Sequence, residues 1–479
     1  MIYSFMFFMA VFVVIGVSSL FYSRRSRQDY YLASHSIPPW LVGLSAVATN
    51  NSGYMFIGVI GYTYVTGLAS IWLMIGWITG DFLASMFIHK HLRQAAIDTD
   101  EASYAGVLGH WGGVRFKAFQ RLAAIISLVF LLSYAAAQLV AGGKALQVLF
   151  GWPNWGGAVL GSVLVMVYCY AGGIRASIWT DAAQSFVMIL AMGLMLFAAV
   201  DSMGGIEQSI MRMQGIPGFM DWYPRDLPFP GVSGGVLFAM SWMFAGLSVI
   251  GQPHVMVRFM ALKGDNSMVS ARAWYYGWYV LFYLMATVVG MLSRIYLPDT
   301  NAFDAELALP TMAQQLMPPV LVGLILAGMF AATMSTADSL VLSCSASITH
   351  DLLPHKVERS WLLKMATLGI TLAALLWAIF NRQSVFSLVI MAWSTLASAF
   401  APILIVLALG GRPSQRVYIT MLLVGAGTAL VWRWFGLQDA VYEGMPGILA
   451  GLLVYGISIS FKKVIDKKTW TEPESEFSE

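Results

Sequence analysis

Residues Ser45 to Gly58 (SAVATNNSGYMFIG) interrupt a long apolar span with small and amide side chains where a membrane helix ordinarily carries Leu and Val. Each backbone N–H or C=O left unpaired in lipid costs several kcal/mol, so irregular backbone there must be walled by protein or line a wet cavity. A second polar stretch, AATMSTADSLVLSCSAS (Ala331 to Ser347), occupies a matching position in the second half of the chain and reads as a second interruption. Paired interruptions in two halves of a polytopic chain point to a binding site near the bilayer midplane.

Composition sets the class. Hydrophobic residues make up 58% of the 479 and charged residues 11%, against about 25% charged in an average soluble domain. The net charge of +3 and the scatter of basic residues over short loops give no nucleic-acid footprint. Cys169 and Cys344 both lie in apolar spans, so no disulfide framework or metal-ligand spacing is offered. Apolar stretches of about 20 residues number thirteen: 3–22, 39–64, 67–88, 117–148, 155–171, 176–200, 232–253, 271–297, 317–349, 361–380, 384–409, 414–434 and 443–461. The expected fold is therefore an all-α polytopic membrane protein with about thirteen transmembrane helices.

The loops set an orientation. One side receives Arg24, Arg25 and Arg27, then Lys90 and Arg93, Arg258 with Lys263, Lys356 and Arg359, Arg412 and Arg416, and finally Lys462, Lys463, Lys467 and Lys468. Basic residues mark the cytoplasmic face, so the N-terminus is expected outside and the C-terminus inside. The first span has no basic residue before it and reads as a retained helix rather than a cleaved signal.

Residues 39–201 and 232–409 form two five-helix sets that enter the membrane from opposite sides, the inverted repeat of the LeuT type. Each opens with a helix broken by small residues or proline, at Ser52–Gly53 and within Gly246 to Pro253. The span 3–22 and the two spans within 414–461 lie outside that core, and 462–479 forms a cytoplasmic tail whose acidic end reads as disordered. The loops 202–231 and 298–316 are long enough for short interfacial helices.

Three segments carry a resemblance to a known family: the two interrupted helices with GQPHVMVRFMA (Gly251 to Ala261), GGIRASIWTDAAQ (Gly172 to Gln184) and SYAAAQLVAGGKAL (Ser133 to Leu146). In order and spacing the chain resembles the sodium/solute symporter family over most of its length, closest to its proline-carrying branch. The resemblance implies sodium as coupling ion, at a site made from the carbonyls of Ala48, Asn51 and Ala332 and the hydroxyls of Ser335 and Thr336. The spacing of Ala332, Ser335, Thr336 and Ser339 puts all four on one helix face. Such a face also serves close helix packing in membranes.

Asp81, Asp181 and Asp338 fall inside predicted spans. An ionised Asp at mid-membrane costs about 2.5–3.5 kcal/mol on insertion scales, so each needs a partner or a role. Some family members have a second sodium site, which maps here to Asp181, Ser335 and Ser339. Asp338 stands where those members carry a hydroxyl, so it either strengthens a second cation site or carries a proton. Asp181 equally reads as a structural hydrogen-bonding group, and no motif claims Asp81. Ser335, Ser339, Ser343 and Ser347 draw a hydroxyl stripe that suits either an ion exit path or helix packing.

A midplane solute is expected to meet Asn50, Ser52 and Gly53 on the second span, Tyr134 and Gln138 on the fourth, and Trp242, Ala245 and Val249 on the seventh. Asn50 replaces an aspartate of the resembled branch. Ala245 and Val249 replace two aromatics that would embrace a proline ring, which argues against proline and leaves an amino acid or carboxylate as the expected solute class. His254 and Arg258 are expected in a cytoplasmic loop after the seventh span, His254 near lipid headgroups or steadying the loop, or as a proton-sensitive gate. The expected activity is sodium-driven solute symport with no enzymatic chemistry; the partners are a small organic solute and the lipid bilayer, with no nucleic acid and no obligate protein partner. The alternatives are a proton-coupled symporter using Asp181 and Asp338, or a sensor built on a transporter fold.

Overall fold

The computed structural model describes the chain except residues 23–25, 228, 230, 265–266, 299–302, 356, 381–382 and 470–479, with only the backbone for 154 and 461–469. The expectations for Arg24, Arg25, Lys356 and the acidic tail, and for the side chains of Lys462, Lys463, Lys467 and Lys468, lie outside the described residues. The described residues are helical, with no named strand among them. In the first half run α1 (Ile2–Ser18), α2 (Arg27–Leu32), α3 (Pro39–Phe56), α4 (Gly58–Thr66), α5 (Ile71–Thr99), α6 (Tyr104–His110), α7 (Lys117–Phe150), α8 (Asn154–Gly172), α9 (Ile174–Ser202) and α10 (Ile206–Gln214). The second half contains α11 (Gly231–Leu247), α12 (Pro253–Met260), α13 (Met268–Tyr296), α14 (Ala308–Leu316), α15 (Pro319–Ala346), α16 (Ser360–Phe380), α17 (Val385–Ala408), α18 (Gln415–Trp434) and α19 (Gly444–Thr469).

Among the described residues, eleven helical stretches are long and apolar enough to cross a membrane. Two of the thirteen expected spans are not separate members of that set. The span 39–64 is divided between α3 and α4, and α4 runs on into α5 through a 3₁₀ turn. The last span is shorter, at Gly444–Ser460. The short helices α10 and α14 fall in the two long loops, as their lengths allow.

Two helices break where the sequence carries small residues and proline. In α3, Ser52 adopts φ 49°, ψ 179°, a left-handed φ that L-residues rarely take and that persists only where surroundings enforce it. Its hydroxyl accepts from Tyr54 N at 3.1 Å and lies 3.3 Å from the Tyr134 hydroxyl. Between α11 and α12 the chain passes through a 3₁₀ turn, Ser248–Gly251, then extended Gln252, and Pro253 starts the new helix. The Gln252 amide donates to the carbonyls of Ser248 at 3.2 Å and Trp393 at 2.8 Å. A side chain thus replaces backbone donors that the break removes, as a buried break requires.

The expected interruption at Ala331 to Ser347 is not one. These residues belong to the unbroken α15 and its continuation, a π-helical turn at Ser347–Leu352. The segment contains no Gly or Pro, and its hydroxyls bond back along their own helix, Thr333 to Phe330 O at 3.0 Å and Ser335 to Ala332 O at 3.1 Å. Polar side chains satisfied within one helix do not break it.

Packing places α15 at the centre, against α3, α7 and α9, while α3 runs along α13 and α11 along α5. The α5–α11 contact is close enough to exclude side chains. A Cβ on Gly80 would lie 1.9 Å from the Met243 carbonyl oxygen, and one on Gly246 2.0 Å from that of Trp77. Backbone cannot yield as a flexible side chain can, so Gly80→Val or Gly246→Val is expected to lower the melting temperature of the purified protein. Overpacking of this kind costs about 1–3 kcal/mol or more, and an unchanged melting curve would show that α5 and α11 are not seated this way.

A short parallel bridge joins the segments at the outer edges of both broken helices. Ile37 N donates to Ala261 O at 3.3 Å and Lys263 N to Ile37 O at 2.9 Å. Arg93 Nε donates to Leu262 O at 2.9 Å, and His35 Nδ1 lies 2.7 Å from Met260 O. The start of α3 and the end of α12 are thereby fastened together.

Candidate functional site

The α3 break faces the hydroxyl side of α15. Ser335 Oγ donates to Ala48 O at 3.2 Å, and Thr336 Oγ1 donates to Thr49 O at 2.8 Å. Ala48, Ser335 and Thr336 are fully buried, as is Ala332, whose carbonyl accepts from Ser335. Four of the five residues expected around sodium therefore meet in one place, held by hydroxyl-to-carbonyl bonds. The fifth, Asn51, donates its amide nitrogen to Val47 O at 2.7 Å, and its amide oxygen is buried without a hydrogen-bond partner. The donor set is uncharged hard oxygen, which suits a weakly held, hard cation rather than a soft metal. A cation bound here would turn the two hydroxyls from donors into ligands.

One helical turn away lies a buried charge cluster. Asp181 on α9 accepts from Ser45 Oγ at 2.6 Å and lies 3.3 Å from Arg258 Nη2 on α12. Asp338 on α15 accepts from Ser177 Oγ and Ser339 Oγ, both at 3.0 Å. The Arg258 guanidinium also donates to Ser177 Oγ at 2.8 Å, to His254 O at 2.7 Å, and to Ser339 Oγ. Thr49 Oγ1, 3.3 Å from Ser339 Oγ, connects this cluster with the first. One oxygen of each carboxylate, Asp181 Oδ1 and Asp338 Oδ2, is buried without a hydrogen-bond partner. The guanidinium pairs directly with Asp181 and reaches Asp338 only through the Ser177 and Ser339 hydroxyls.

The position of Arg258 and His254 corrects the expectation of a cytoplasmic loop. Both are in α12 and fully buried. Arg258 is tolerated there because Asp181 and four oxygen acceptors receive it. His254 sits between the rings of Tyr134 and Trp393, centroids 5.4 and 6.2 Å away, and neither ring nitrogen has a hydrogen-bond partner.

Among the residues expected to meet a solute, Tyr134 and Gln138 of α7 do reach the α3 break. Tyr134 touches Ser52, and Gln138 Oε1 accepts from Gly53 N at 2.9 Å. The Gln138 amide nitrogen is buried and unpartnered. The Asn50 amide nitrogen donates to the Tyr275 hydroxyl of α13 at 2.5 Å, and its amide oxygen is buried without a hydrogen-bond partner. Trp242 stacks with Trp77 and Tyr442 and lines a cavity of about 360 Å³ shared with Tyr62, Phe386 and Arg433. Ala245 and Val249 are fully buried, and the Ala245 carbonyl accepts from Trp393 Nε1 at 3.0 Å. Another, much smaller cavity is lined by Arg258, Ser343 and Ser347, so two serines of the hydroxyl stripe border it. Trp77, Trp242, Trp393 and Tyr54 form a continuous aromatic layer that borders the larger cavity through Trp242.

Sequence reasoning missed Ser45, Thr49, Ser177, Tyr275 and Tyr276 as members of the site. Only the serine of a packing face and the tyrosine of a 14% aromatic chain were visible, and neither marks a site by itself. Asp81 was visible as an intramembrane carboxylate, but its partners were not.

A broken helix facing a hydroxyl-lined straight helix in an all-helical membrane bundle defines a secondary transporter. Residues 30–410 match the Sodium:solute symporter family. The chain is 29% identical over 448 residues to the sodium/proline symporter of Escherichia coli (strain K12), covering 90% of this chain and 87% of that protein. It is 28% identical to the High-affinity proline transporter PutP of Bacillus subtilis (strain 168), covering 91% of this chain and 94% of that one. Its fold matches a solved Na+-coupled sialic acid symporter in a substrate-bound outward-open state, with TM-score 0.81, 17% identity and coverage of 99% and 98% of the two chains. The chain belongs to the sodium:solute symporter family. It is a multi-pass membrane transporter that couples the movement of a solute to sodium.

Proposed function

We propose that this chain imports a small amino acid or carboxylate together with sodium by alternating access, across a bacterial-type inner or plasma membrane. The observation that carries the reading is the meeting of the α3 break with the α15 hydroxyls, at Ala48, Ala332, Ser335 and Thr336. The solute occupies the level of Ser52, Gly53, Tyr134 and Gln138, under the aromatic layer and below Trp242. Proline is not the main solute: Ala245 and Val249 offer no ring to enclose it.

The pairwise packing supports a two-repeat organisation, 39–201 and 232–409. Exchanging the first five-helix set for the second converts the α3–α13 contact into the α11–α5 contact. The N-terminus lies outside and the C-terminus inside.

Radiolabelled amino acids and carboxylates in counterflow, with and without a sodium gradient across proteoliposomes, test the reading. Accumulation that requires the sodium gradient is expected. Binding without accumulation would make the chain a sensor, and accumulation on a pH gradient alone would transfer coupling to protons. The second outcome has a structural candidate, the two unpartnered carboxylate oxygens of Asp181 and Asp338 beside Ser339.

A further inference from the structure

Among the described buried acids, Asp338 and Asp351 lack an ion pair, whereas Asp29, Glu101, Asp181, Glu306 and Glu443 each have a cation within 3.3 Å: Arg175, Arg115, Arg258, Lys144 and Arg433 respectively. Asp81, fully buried in the middle of α5, does not. Three neutral donors hold it: the hydroxyls of Tyr275 at 2.6 Å and Tyr276 at 2.9 Å, both from α13, and the Asn50 amide at 3.5 Å. Among the described residues no cation lies within ion-pair distance of it. A carboxylate buried in a membrane bundle without a counter-charge is a functional group until shown otherwise.

The geometry of Asn50 says where that charge acts. Its Nδ2 donates to Tyr275 Oη, which in turn donates to Asp81 Oδ2. A carboxylate accepts only, so the opposite amide orientation would set two acceptors face to face. Asp81 therefore fixes Asn50 with its amide oxygen directed away from the carboxylate, two residues before the α3 break. That oxygen is buried and has no hydrogen-bond partner. Hydrogen bonds in series polarise one another, so the Asn50 oxygen is a stronger acceptor than an isolated amide. One turn before Asp81 on the same face of α5, Trp77 presents its ring to the aromatic layer, and its indole N–H is also unpartnered. Aromatic faces and a polarised oxygen together favour a cation.

We infer that Asp81 supplies the negative charge of the central site, acting through Tyr275 and Asn50 to hold a bound cation. That cation is either sodium or the ammonium group of the solute. Asp81 is a positioning residue here, since it does not itself touch the ligand. The inference rests on the central site proposed above, but its test reads binding rather than transport, so failed counterflow and failed binding are separate results.

The full chain, purified in detergent, is titrated with ²²Na+ alone. It is then titrated at fixed sodium with L-proline and L-alanine against their des-amino counterparts, cyclopentanecarboxylate and propionate, followed by thermal shift. Asp81→Asn is expected to weaken one of the two interactions at least about tenfold, the loss typical of a hydrogen bond that serves a charge. Weakened ²²Na+ binding identifies sodium; unchanged ²²Na+ with lost preference for the amino compounds identifies the ammonium. The exchange Asn50→Asp with Asp81→Asn returns a carboxylate to the site and is expected to restore binding to within about threefold. A purely structural Asp81 would not be rescued in this way. If Asp81→Asn does not fold, Asn50→Ala leaves Asp81 with both tyrosines and is expected to show the same loss. Unaltered binding of both kinds in either single variant, or an exchange variant no better than Asp81→Asn, overturns the inference.

Discussion

Replacing Ser335 and Thr336 together by alanine is expected to abolish sodium-dependent uptake in proteoliposomes at normal expression levels. Both hydroxyls are fully buried and both reach carbonyls of α3, Ala48 at 3.2 Å and Thr49 at 2.8 Å. Their removal takes two oxygens from the proposed ion shell and leaves those carbonyls facing methyl groups. The structural loss is modest, since a neutral hydrogen bond contributes about 1 kcal/mol net and alanine keeps the helix. The functional loss is large, because the remaining carbonyls cannot complete a shell from one side. Uptake measured at several sodium concentrations checks this. A double variant with the sodium dependence of the unaltered protein would place the ion elsewhere.

Arg258→Ala is expected to have the largest effect on stability. It leaves Asp181 and Asp338 in a fully buried site with no cation, and removing one partner of a buried pair costs about 3–5 kcal/mol. The same change also removes the N–H groups that donate to Ser45, Ser177 and Ser339. The melting temperature of purified Arg258→Ala should fall sharply, and Asp338→Asn in that background should recover part of it by removing one of the two charges. Arg258→Lys should fall between, since an ammonium cannot span the separate acceptors that a guanidinium fork reaches. If sodium enters the vacated cluster, the variant's melting temperature will climb with sodium concentration by mass action. A variant as stable as the unaltered protein in sodium-free buffer would show that the pair is not formed.

The meeting of α3 with the hydroxyl face of α15 was readable in the sequence because two independent patterns agreed. The spacing of Ala332, Ser335, Thr336 and Ser339 defines one face, and Asn50 to Gly53 cannot sit quietly in a continuous apolar helix. The same reasoning misread α15, because a serine or threonine looks alike whether its hydroxyl bonds back to its own helix or reaches across to another. It also misread Arg258. A charge at the end of an apolar run usually marks the water boundary, and only Asp181, 77 residues earlier, shows that this one points inward. The Asp81 group was hidden for a similar reason. Tyr275 and Tyr276 lie 194 and 195 residues from it, and no local periodicity connects them.

The bridge between Ile37 and Leu262 has a mechanical consequence. It yokes the opening stretch of α3, which carries Ser45 and Ala48, to α12, which carries Arg258. The two then form one lever working against α9 and α15. Lifting that lever withdraws the Ala48 carbonyl from Ser335 and the guanidinium from Asp181 in a single stroke. The two contacts are then expected to open together rather than one at a time.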